Sequence, residues 1–353
     1  MLNLALIGCG RIAERHAALL TQAQIPGARL AAVCDTQRDR AEAFGQRFHV
    51  PFYTDSLEMI RKEAIDVLCI LTPSGLHAEQ VIQLAPHKKH FIVEKPMALT
   101  LESADAMIRA CDQNGVRLFV VKQNRFNVPV QKLKQAVDAG QLGKLTLGTV
   151  RVRWCRTQAY YDSDSWRGTW AYDGGVLANQ ASHHIDLLEW MMGPVDTVFA
   201  KCTHALAKIE AEDTAVVVLK FHNGALGIIE ATTAARPTDL EGSLSVLGEK
   251  GSVVIGGFAV NELKTWKFSG QKENEEADMI RQNSVNPPNV YGFGHQAYLK
   301  NVVESIAEKR AALVDGLEGR KSLELITAIY ESIETGREVA LRFRPEKCRL
   351  GHH

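Results

Sequence analysis

The first third of the chain alternates between short apolar runs and segments with helical spacing, and this alternation restricts the possible folds most. The apolar runs cover residues 2–7, 28–35, 65–73, 90–96 and 117–123. Because nearly all positions in these runs are apolar, each predicted strand has both faces buried. Such strands, separated by helices, predict a parallel sheet that is covered by helices on both sides.

A different pattern begins after about residue 123. Residues 144–154 and 214–235 have the composition of strands in an antiparallel sheet, and the second stretch contains Asn223-Gly224, a strong hairpin signal. Helices are predicted over residues 174–192 and, as a pair, over residues 294–337.

A chain of 353 residues is long for one compact core and comfortable for two. We therefore predict an α/β protein with domains at residues 1–122 and 123–350. The last residues, 351–353, have the character of a purification-tag remnant.

Composition argues against several classes of protein. Lys and Arg total 41 and so do Asp and Glu, which gives no basic surface for nucleic acid or an anionic membrane. The seven cysteines form no CxxC pair, so we expect a reducing compartment, no disulfide framework and no metal site. Neither a signal peptide nor an apolar run of about 18 residues is visible, so a cytoplasmic protein is expected.

A glycine motif connects the first strand to the first helix. Gly8, Gly10 and Ala13 fit G-x-G-x-x-A, in which the glycines allow a tight turn and close approach of a pyrophosphate at the helix N-terminus. Asp35 ends the second strand, where a carboxylate accepts hydrogen bonds from ribose hydroxyls and repels a 2′-phosphate. The motif therefore predicts a Rossmann dinucleotide-binding domain that prefers NAD to NADP.

Three separated motifs, in order along essentially the whole chain, resemble those of the Gfo/Idh/MocA family of sugar and polyol dehydrogenases. They are Thr72-Pro73 with His77, Glu94-Lys95-Pro96, and Gly174-Gly175 with His183 and Asp186. The resemblance implies an N-terminal Rossmann domain followed by an α/β domain with a large, mostly antiparallel open sheet. In the family that sheet commonly forms the oligomer interface, so a dimer or tetramer is expected.

The resemblance also assigns roles to residues. It implies that Lys95 reaches the substrate hydroxyl beside the nicotinamide, and that Lys95 and His183 carry the acid–base chemistry. With the glycine motif, it assigns NAD binding to Gly8, Gly10, Arg11, Ile12, Asp35, Thr72, Pro73, His77, Glu94, Lys95, Gln123, Trp166 and Arg167.

Asn179, His183 and Asp186 share one face of the predicted helix, because they are spaced by four and three residues. Many family members carry an aspartate where Asn179 stands, and an amide cannot accept a proton. His183, with an ordinary pKa near 6.5, suits a base at neutral pH. Asn179 is left to hydrogen-bond the substrate or the imidazole. Asp186 either orients His183 or stabilises its own helix.

More particular segments resemble the subgroup that oxidises UDP-N-acetyl-glucosaminuronic acid at C3 for bacterial surface polysaccharides. These segments are residues 122–145, 165–193 and 291–306. Such a substrate carries a diphosphate and a carboxylate, for which arginine offers a planar fork of donors. Arg167 is favoured over Arg125, Arg153 and Arg156. The predicted substrate-binding residues are Asn124, Arg156, Tyr160, Arg167, Asn179 and His295.

Two alternatives remain at this level. One is a free-sugar or inositol dehydrogenase of the same family, and the other is an NAD-binding regulator without catalysis. The presence of Lys95 and His183 argues against the regulator. The sequence leaves open whether NADH is released or is re-oxidised by 2-oxoglutarate, as in some members of the subgroup.

Overall fold

The computed structural model describes residues 1–272, 274–284, 293–341 and 347–352. The chain forms two compact units. The first comprises Met1–Lys122 with His295–Arg320, and the second comprises Gln123–Gly294 with Lys321–His353. The chain therefore passes from the first unit to the second directly after the last strand predicted for the Rossmann domain, and part of the C-terminal helix pair returns to the first unit.

The strands follow one another as two groups along the chain. They are β1 (Leu2–Ile7), β2 (Ala28–Cys34), β3 (Phe52–Tyr53), β4 (Val67–Ile70), β5 (His90–Val93), β6 (Leu118–Val120), β7 (Leu145–Arg153), β8 (Val195–Thr203), β9 (Thr214–Phe221), β10 (Leu226–Thr232), β11 (Glu241–Gly248), β12 (Gly251–Gly256), β13 (Glu262–Phe268) and β14 (Val339–Ala340).

The helices alternate with the strands of the first group and are spread through the second. They are α1 (Arg11–Thr21), α2 (Arg38–Phe48), α3 (Ser56–Lys62), α4 (His77–Leu84), α5 (Leu101–Gln113), α6 (Val128–Asp138), α7 (Gln158–Tyr161), α8 (Ser182–Met192), α9 (Glu275–Asn283), α10 (Gly294–Ala307) and α11 (Gly316–Thr335).

The first unit contains the six-stranded sheet with strand order β3-β2-β1-β4-β5-β6. All of its pairings are parallel, as predicted. The strand order reverses between β1 and β4, and ligands of such sheets bind at the carboxyl ends of the strands near this reversal. The residues that follow β1, β2, β4 and β5, which include Gly8, Asp35, Thr72 and Glu94, therefore lie along the binding edge.

Burial explains why these short strands form. Val67, Leu68 and Ile70 of β4 are completely buried, and each such side chain contributes about 1.5–3 kcal/mol relative to an exposed one. Thr100 caps the N-terminus of α5, since its hydroxyl accepts a hydrogen bond from the backbone N–H of Ser103 at 3.1 Å.

The second unit contains an eight-stranded sheet with strand order β13-β12-β11-β7-β10-β9-β8-β14. Its pairings are antiparallel except for β7 with β10, so the large, mostly antiparallel sheet is confirmed. The Asn223-Gly224 turn joins β9 to β10, and Gly224 adopts a left-handed φ of +85° that favours glycine. Helix α8 packs on one side of this sheet, where Met192 lies against Gly148 of β7.

The other side of the sheet exposes apolar side chains, which we call the open sheet face. It comprises Phe199 of β8, Val216 and Val218 of β9, and Leu226 and Ile228 of β10, all exposed. The apolar residues of β9 and β10 alternate with buried ones, as expected for a strand with two different faces. A contiguous apolar patch of this kind marks a contact surface.

Two segments differ from what their sequence patterns predict. The polar, proline-containing pattern of residues 269–289 predicts a surface loop, but α9 forms within it, and residues 273 and 285–289 lie outside the described residues. The helix predicted over 174–192 is divided into a π-helical turn, Val176–Gln180, and α8. No helix in the described part of the chain has the length and apolar character that a bilayer span requires.

Candidate active site

The loop after β1 contains Gly8 and Gly10, and the need for glycine has a different physical cause at each position. Gly8 has φ +96°, and a Cβ there would lie 2.9 Å from the Leu71 carbonyl group, so no other residue fits without strain. A Cβ on Gly10 would meet no protein atom within 4 Å. The protein's own packing therefore does not require glycine at position 10, whereas the predicted close approach of a pyrophosphate to the start of α1 would require it.

Asp35 is held in place by the loop that it supports. Its Oδ2 accepts a hydrogen bond from the backbone N–H of Cys9 at 2.9 Å, and its Oδ1 accepts one from the N–H of Gln37 at 2.9 Å. The carboxylate therefore ties the glycine loop to the end of β2. An ionised oxygen has capacity for more than one donor, so ribose hydroxyls can still bind it.

Replacing Asp35 by alanine is expected to weaken NAD binding by about tenfold or more. Hydrogen bonds to a charged group contribute about 1.5–3 kcal/mol, and the glycine loop also loses an acceptor. The variant should discriminate less against NADP, because the repulsion of the 2′-phosphate is gone. Titration of the protein with NADH and NADPH measures both effects, with Asp35→Asn as the variant that keeps the shape. Unchanged NAD affinity in Asp35→Ala would contradict the assignment.

The segment that carries Lys95 follows β5 at the same edge of the sheet. His77 is buried at the start of α4 and places Nδ1 at 2.9 Å from the Pro96 carbonyl oxygen and Nε2 at 2.9 Å from that of Thr72. The Thr72 hydroxyl donates to Gln80 Oε1 at 2.7 Å. His77 thus connects the Thr72-Pro73 segment to the turn that follows Lys95.

A buried cluster of His16, Glu94 and His295 lies in the first unit. His16 Nε2 is 3.1 Å from Glu94 Oε1, and the ring of His295 meets that of His16 edge-on at 5.7 Å between centroids. Burial by itself would raise the pKa of Glu94, but His16, His295 and Lys95 lower it to about 2. His295, predicted to bind substrate, is buried with these residues. Among the described residues, this is the only group of three His, Cys, Asp or Glu side chains with the spacing of metal ligands.

His183 and Gln123 form a hydrogen-bonded pair in the second unit. Gln123 belongs to the 3-10 turn Gln123–Phe126, and its Nε2 lies 2.9 Å from Nε2 of His183 at the start of α8. With the amide donating, the neutral imidazole carries its own proton on Nδ1. Asn124 is also buried in this turn, and neither its Oδ1 nor Gln123 Oε1 has a hydrogen-bond partner in the described structure. Both amide oxygens can therefore accept a hydrogen bond from a ligand.

Asn179 and His183 do not share one regular helix. Asn179 lies in the π-helical turn, whose Ala181 N–H donates to the Val176 carbonyl oxygen at 2.7 Å, five residues back. The Asn179 amide donates to the Asp173 carboxylate, which also accepts from the N–H of Gly168 at 2.8 Å. π-Turns are frequent at functional sites. The regular helix from which a common face of Asn179, His183 and Asp186 was predicted is therefore interrupted between Asn179 and His183.

Asp186 forms an ion pair with Arg125, which neither of the two predicted roles of Asp186 includes. Its carboxylate accepts two hydrogen bonds from Arg125, from Nε at 2.7 Å and from Nη2 at 2.9 Å, and both side chains are buried. The Arg125 guanidinium also stacks on Trp190 at 4.8 Å from the ring centroid. Arg125 therefore fixes α8 to the Gln123–Phe126 turn.

Gly175, directly before the π-turn, leaves room for Glu212, a residue that the sequence motifs did not identify. A Cβ on Gly175 would lie 2.3 Å from the Glu212 carboxyl carbon. Glu212 Oε1 accepts from the N–H of Leu177 at 2.9 Å and from the Tyr330 hydroxyl at 3.0 Å. Glu212 therefore supports the turn that carries Asn179. The only sequence signal is an acidic pair, Glu212-Asp213, directly before a strand.

Protonation of Glu212 predicts a pH effect on stability. Burial raises its pKa from 4.5 to about 7, against the opposing hydrogen bonds of Leu177 and Tyr330. Between these two pH values the unfolded chain has lost this proton and the folded chain keeps it, so stability falls as pH rises. The stability of Glu212→Gln relative to the natural protein should therefore increase from about pH 5 to about pH 8. Urea unfolding at both pH values measures this, with exposed Glu249→Gln as the control; a pH-independent difference would contradict it.

The predicted arginines differ in what they contact. Arg156 and Arg167 lie against the ring of Tyr160, at 5.5 Å and 4.6 Å from its centroid. Arg156 pairs with Asp239 at 2.8 Å and Arg167 with Asp164 at 2.9 Å. Arg153 pairs with Glu230 and Glu241 on the sheet, so it acts as an ion-pair residue there rather than as a contact for an anionic substrate.

Arg167 also lines a surface cavity of about 520 Å³ in the second unit. Arg167 and Lys208 supply positive charge to its wall, but Asp162, Asp164 and Glu210 supply more negative charge. This cavity is therefore not a basic pocket for a diphosphate. The indole of Trp166 stacks on the Arg167 guanidinium at 4.5 Å from the ring centroid, so Trp166 orients Arg167.

The remaining predicted cofactor residues lie on the binding edge of the first unit. Arg11 is exposed and Ile12 is half-buried on the first turn of α1, directly after Gly10. Pro73 is half-buried after β4. These positions flank the glycine loop and the carboxyl end of β4, as expected for residues that contact a dinucleotide.

Comparison with family models gives two matches that together cover most of the chain. The NAD-binding Rossmann fold of the Gfo/Idh/MocA oxidoreductase family matches residues 2–122, and the C-terminal alpha/beta domain of that family matches residues 134–341. Among curated proteins, the myo-inositol 2-dehydrogenase of Thermotoga maritima is 30% identical over 96% of this chain and 98% of its own length.

Two solved structures are more similar in sequence. The WlbA dehydrogenase of Bordetella pertussis, in complex with NADH and UDP-GlcNAcA, is 42% identical, with a TM-score of 0.91 over 97% of this chain and 98% of the other. The WlbA dehydrogenase of Chromobacterium violaceum, with the same two ligands, is 41% identical, with a TM-score of 0.89 over 97% of this chain and 96% of the other.

Proposed function

The chain belongs to the Gfo/Idh/MocA family of oxidoreductases and is an NAD-dependent dehydrogenase, and from this we propose that its substrate is a UDP-sugar. The specific substrate that we propose is UDP-N-acetyl-glucosaminuronic acid, oxidised at the C3 hydroxyl. The observation that carries the proposal is the full-length similarity, at 42% identity, to a dehydrogenase crystallised with NADH and UDP-GlcNAcA. The inositol dehydrogenase relative is less similar, at 30% identity.

The proposed reaction is a two-electron oxidation that removes two hydrogen atoms from the sugar, one as a hydride and one as a proton. The C3 hydrogen leaves as hydride to the nicotinamide of NAD, and the C3 hydroxyl loses its proton to a protein base. The products are a 3-keto sugar nucleotide, NADH and a proton. Gly8, Gly10 and Asp35 fit the dinucleotide, because the loop leaves open space at Gly10 and presents a fixed carboxylate.

Lys95 and His183 are the two proposed acceptors of the hydroxyl proton. His183 accepts at Nε2 only when the Gln123 amide gives way to the substrate hydroxyl, because that amide occupies the nitrogen in this structure. Asn179 donates its amide nitrogen to the Asp173 carboxylate, which fixes the direction of its side chain, and an amide cannot take up the hydroxyl proton. The proposed role of Asn179 is therefore orientation of the sugar.

Arg156, Arg167 and Tyr160 are the proposed contacts for the anionic and ring parts of the substrate. Two guanidiniums stacked on one tyrosine ring form a preordered group of donors, because stacking and ion pairing restrict both side chains. Asp164 and Asp239 neutralise them in this structure, so substrate phosphate or carboxylate must compete with these aspartates.

An inositol or free-sugar dehydrogenase is the second candidate, and the Thermotoga maritima relative favours it. Inositol carries no charge and does not require arginine contacts. The two candidates therefore differ in the effect of Arg167→Leu, which should raise KM by a larger factor for a UDP-sugar than for inositol.

The proposal is tested by following NADH absorbance with enzyme, NAD and each candidate substrate in turn. A steady rise with UDP-N-acetyl-glucosaminuronic acid supports the proposal and shows release of NADH. If NADH stays bound, absorbance is flat and 2-hydroxyglutarate forms once 2-oxoglutarate is added. Oxidation of myo-inositol with no reaction of the sugar nucleotide in either format would replace the proposal with the second candidate.

The wider setting is also part of the proposal. A 3-keto sugar nucleotide suits the cytoplasmic synthesis of bacterial surface polysaccharides such as O-antigen. The open sheet face supports a homo-oligomer, since five exposed apolar side chains there would be covered by a second copy. A charge placed at Val218 should therefore reduce the mass of the particle in light scattering.

A further inference from the structure

Lys95 is more exposed to solvent than the residues on either side of it. Residues 91–94 and 96–99 are all buried, and Lys95 between them is half-buried. A side chain that must reach a ligand from such a segment depends on how firmly the backbone on either side is held. Both sides of Lys95 are held by a buried histidine.

His16 holds the side that precedes Lys95. Its Nε2 contacts Glu94 Oε1 at 3.1 Å, and the other carboxylate oxygen, Oε2, accepts the backbone N–H of Lys95 at 3.1 Å. The Glu94 carboxylate is therefore a bridge from the imidazole of His16, on α1, to the backbone of Lys95. His295 packs edge-on against His16 and restricts its ring.

His77 holds the side that follows Lys95. Its Nδ1 lies 2.9 Å from the Pro96 carbonyl oxygen, and its Nε2 lies 2.9 Å from the Thr72 carbonyl oxygen. A carbonyl oxygen only accepts, and a neutral imidazole has one N–H. Burial lowers the pKa of His77, so the ring is neutral at neutral pH and donates to one of the two carbonyls at a time.

We propose that His16 and His77 are positioning residues for Lys95, which they fix through the Glu94 carboxylate and the Pro96 carbonyl. The inference rests on the proposed catalytic role of Lys95. Effective catalysis needs the reacting groups to be placed closely, and a misplacement of about 1 Å can cost about 100-fold in rate. Two buried histidines thus act on the reaction although neither is assigned to the substrate.

The charges around Glu94 favour positioning over metal binding at the His16, Glu94 and His295 cluster. One carboxylate already faces His16, His295 and Lys95, all of which stabilise its charged form. A divalent cation would leave excess positive charge in a buried place, which is costly.

The test uses pairs of amide variants that differ only in where the amide nitrogen lies. The nitrogen of glutamine lies near the position of histidine Nε2, and that of asparagine lies near Nδ1. His16→Gln therefore keeps a donor for Glu94, whereas His16→Asn does not. His77→Asn keeps the donor to Pro96, whereas His77→Gln keeps the one to Thr72.

The expected result is a difference in kcat within each pair. His16→Asn should lower kcat about tenfold to 100-fold and His16→Gln less, and His77→Gln should lower kcat more than His77→Asn. The dissociation constant for NAD should change little in the His16 variants. In the His77 variants, whose position is also predicted to contact NAD, kcat should fall by a larger factor than NAD affinity. The kinetic isotope effect with C3-deuterated substrate should rise in the slow variants, because chemistry becomes rate-limiting. A variant that merely folds poorly loses active enzyme without a change in the isotope effect.

Three outcomes would overturn the inference. Equal losses within both pairs would show that the imidazoles act only as packing. NAD affinity that falls in step with kcat would assign them to cofactor binding instead. Zinc at one per chain, lost in His16→Asn, would make the cluster a metal site. Lys95→Ala distinguishes failure of the proposed catalytic role from failure of the positioning role. Full turnover in Lys95→Ala contradicts the catalytic role of Lys95. An inactive Lys95→Ala together with fully active histidine variants contradicts only the positioning role of the histidines.

Discussion

Replacing Lys95 by alanine is expected to lower kcat by about 100-fold to 10,000-fold, the usual contribution of a positioned proton-transfer group. Binding of NAD should change little, because the proposed contacts of the dinucleotide with the glycine loop and Asp35 lie at other positions along the sheet edge. The buried neighbours of Lys95 keep the backbone in place without its side chain. Single-turnover measurement of NADH formation, together with NADH titration, gives both quantities.

Lys95→Arg is the informative companion to this variant. Arginine keeps the positive charge but stays protonated, so it cannot accept a proton. If Lys95 is the base, Lys95→Arg should be nearly as slow as Lys95→Ala. If Lys95 only supplies charge and His183 is the base, Lys95→Arg should recover activity and His183→Ala should show the large loss. Normal turnover in all three variants would contradict the proposed chemistry.

Breaking the pair of Arg125 and Asp186 is expected to have the largest effect on stability. In Asp186→Ala the Arg125 guanidinium remains buried without its carboxylate, and loss of one partner of a buried pair costs about 3–5 kcal/mol. The π-turn and α8 should lose their fixed relation to the Gln123–Phe126 turn. Urea unfolding followed by the fluorescence of Trp190, on which Arg125 stacks, measures the effect.

Two variants make this prediction sharper. Arg125→Met with Asp186→Leu removes both charges together and should recover most of the lost stability, because no uncompensated charge remains. Asp138→Ala removes an exposed carboxylate that pairs with Lys134 four residues away, and should cost no more than about 0.5 kcal/mol. Equal losses from Asp186→Ala and Asp138→Ala would show that burial of the Arg125 pair has no energetic consequence.

The parallel sheet could be predicted from the sequence because each buried strand has its own apolar pattern, which is visible without knowledge of its neighbours. A strand that is buried on both faces is apolar throughout, and the five apolar runs correspond to β1, β2, β4, β5 and β6. The short β3 and α3 have no such pattern and were not predicted. The hairpin of β9 and β10 was predicted because Asn-Gly fixes the turn conformation.

The candidate site was less predictable, because its partners are far apart in the chain. Asp186 and Arg125 are separated by 61 positions, and Leu177 and Glu212 by 35. Periodicity reports only which face a residue occupies, so it could not identify these partners. The motifs nevertheless pointed to residues in suitable places, since Lys95 follows a strand at the binding edge and His183 is hydrogen-bonded to the amide of Gln123. Their catalytic roles stay predictions.

Because of the π-turn at Val176–Gln180, the number of residues in this segment affects the orientation of Asn179 relative to His183. A π-turn holds about one residue more than an α-helical turn, as the bond from Ala181 to Val176 spans five residues. Deleting one residue here would let the segment close into an α-helix and rotate Asn179 relative to His183 by about 100°. In alignments and in redesign of this enzyme, an insertion or deletion at these positions should therefore be treated as a change of specificity, even where every chemical group is kept.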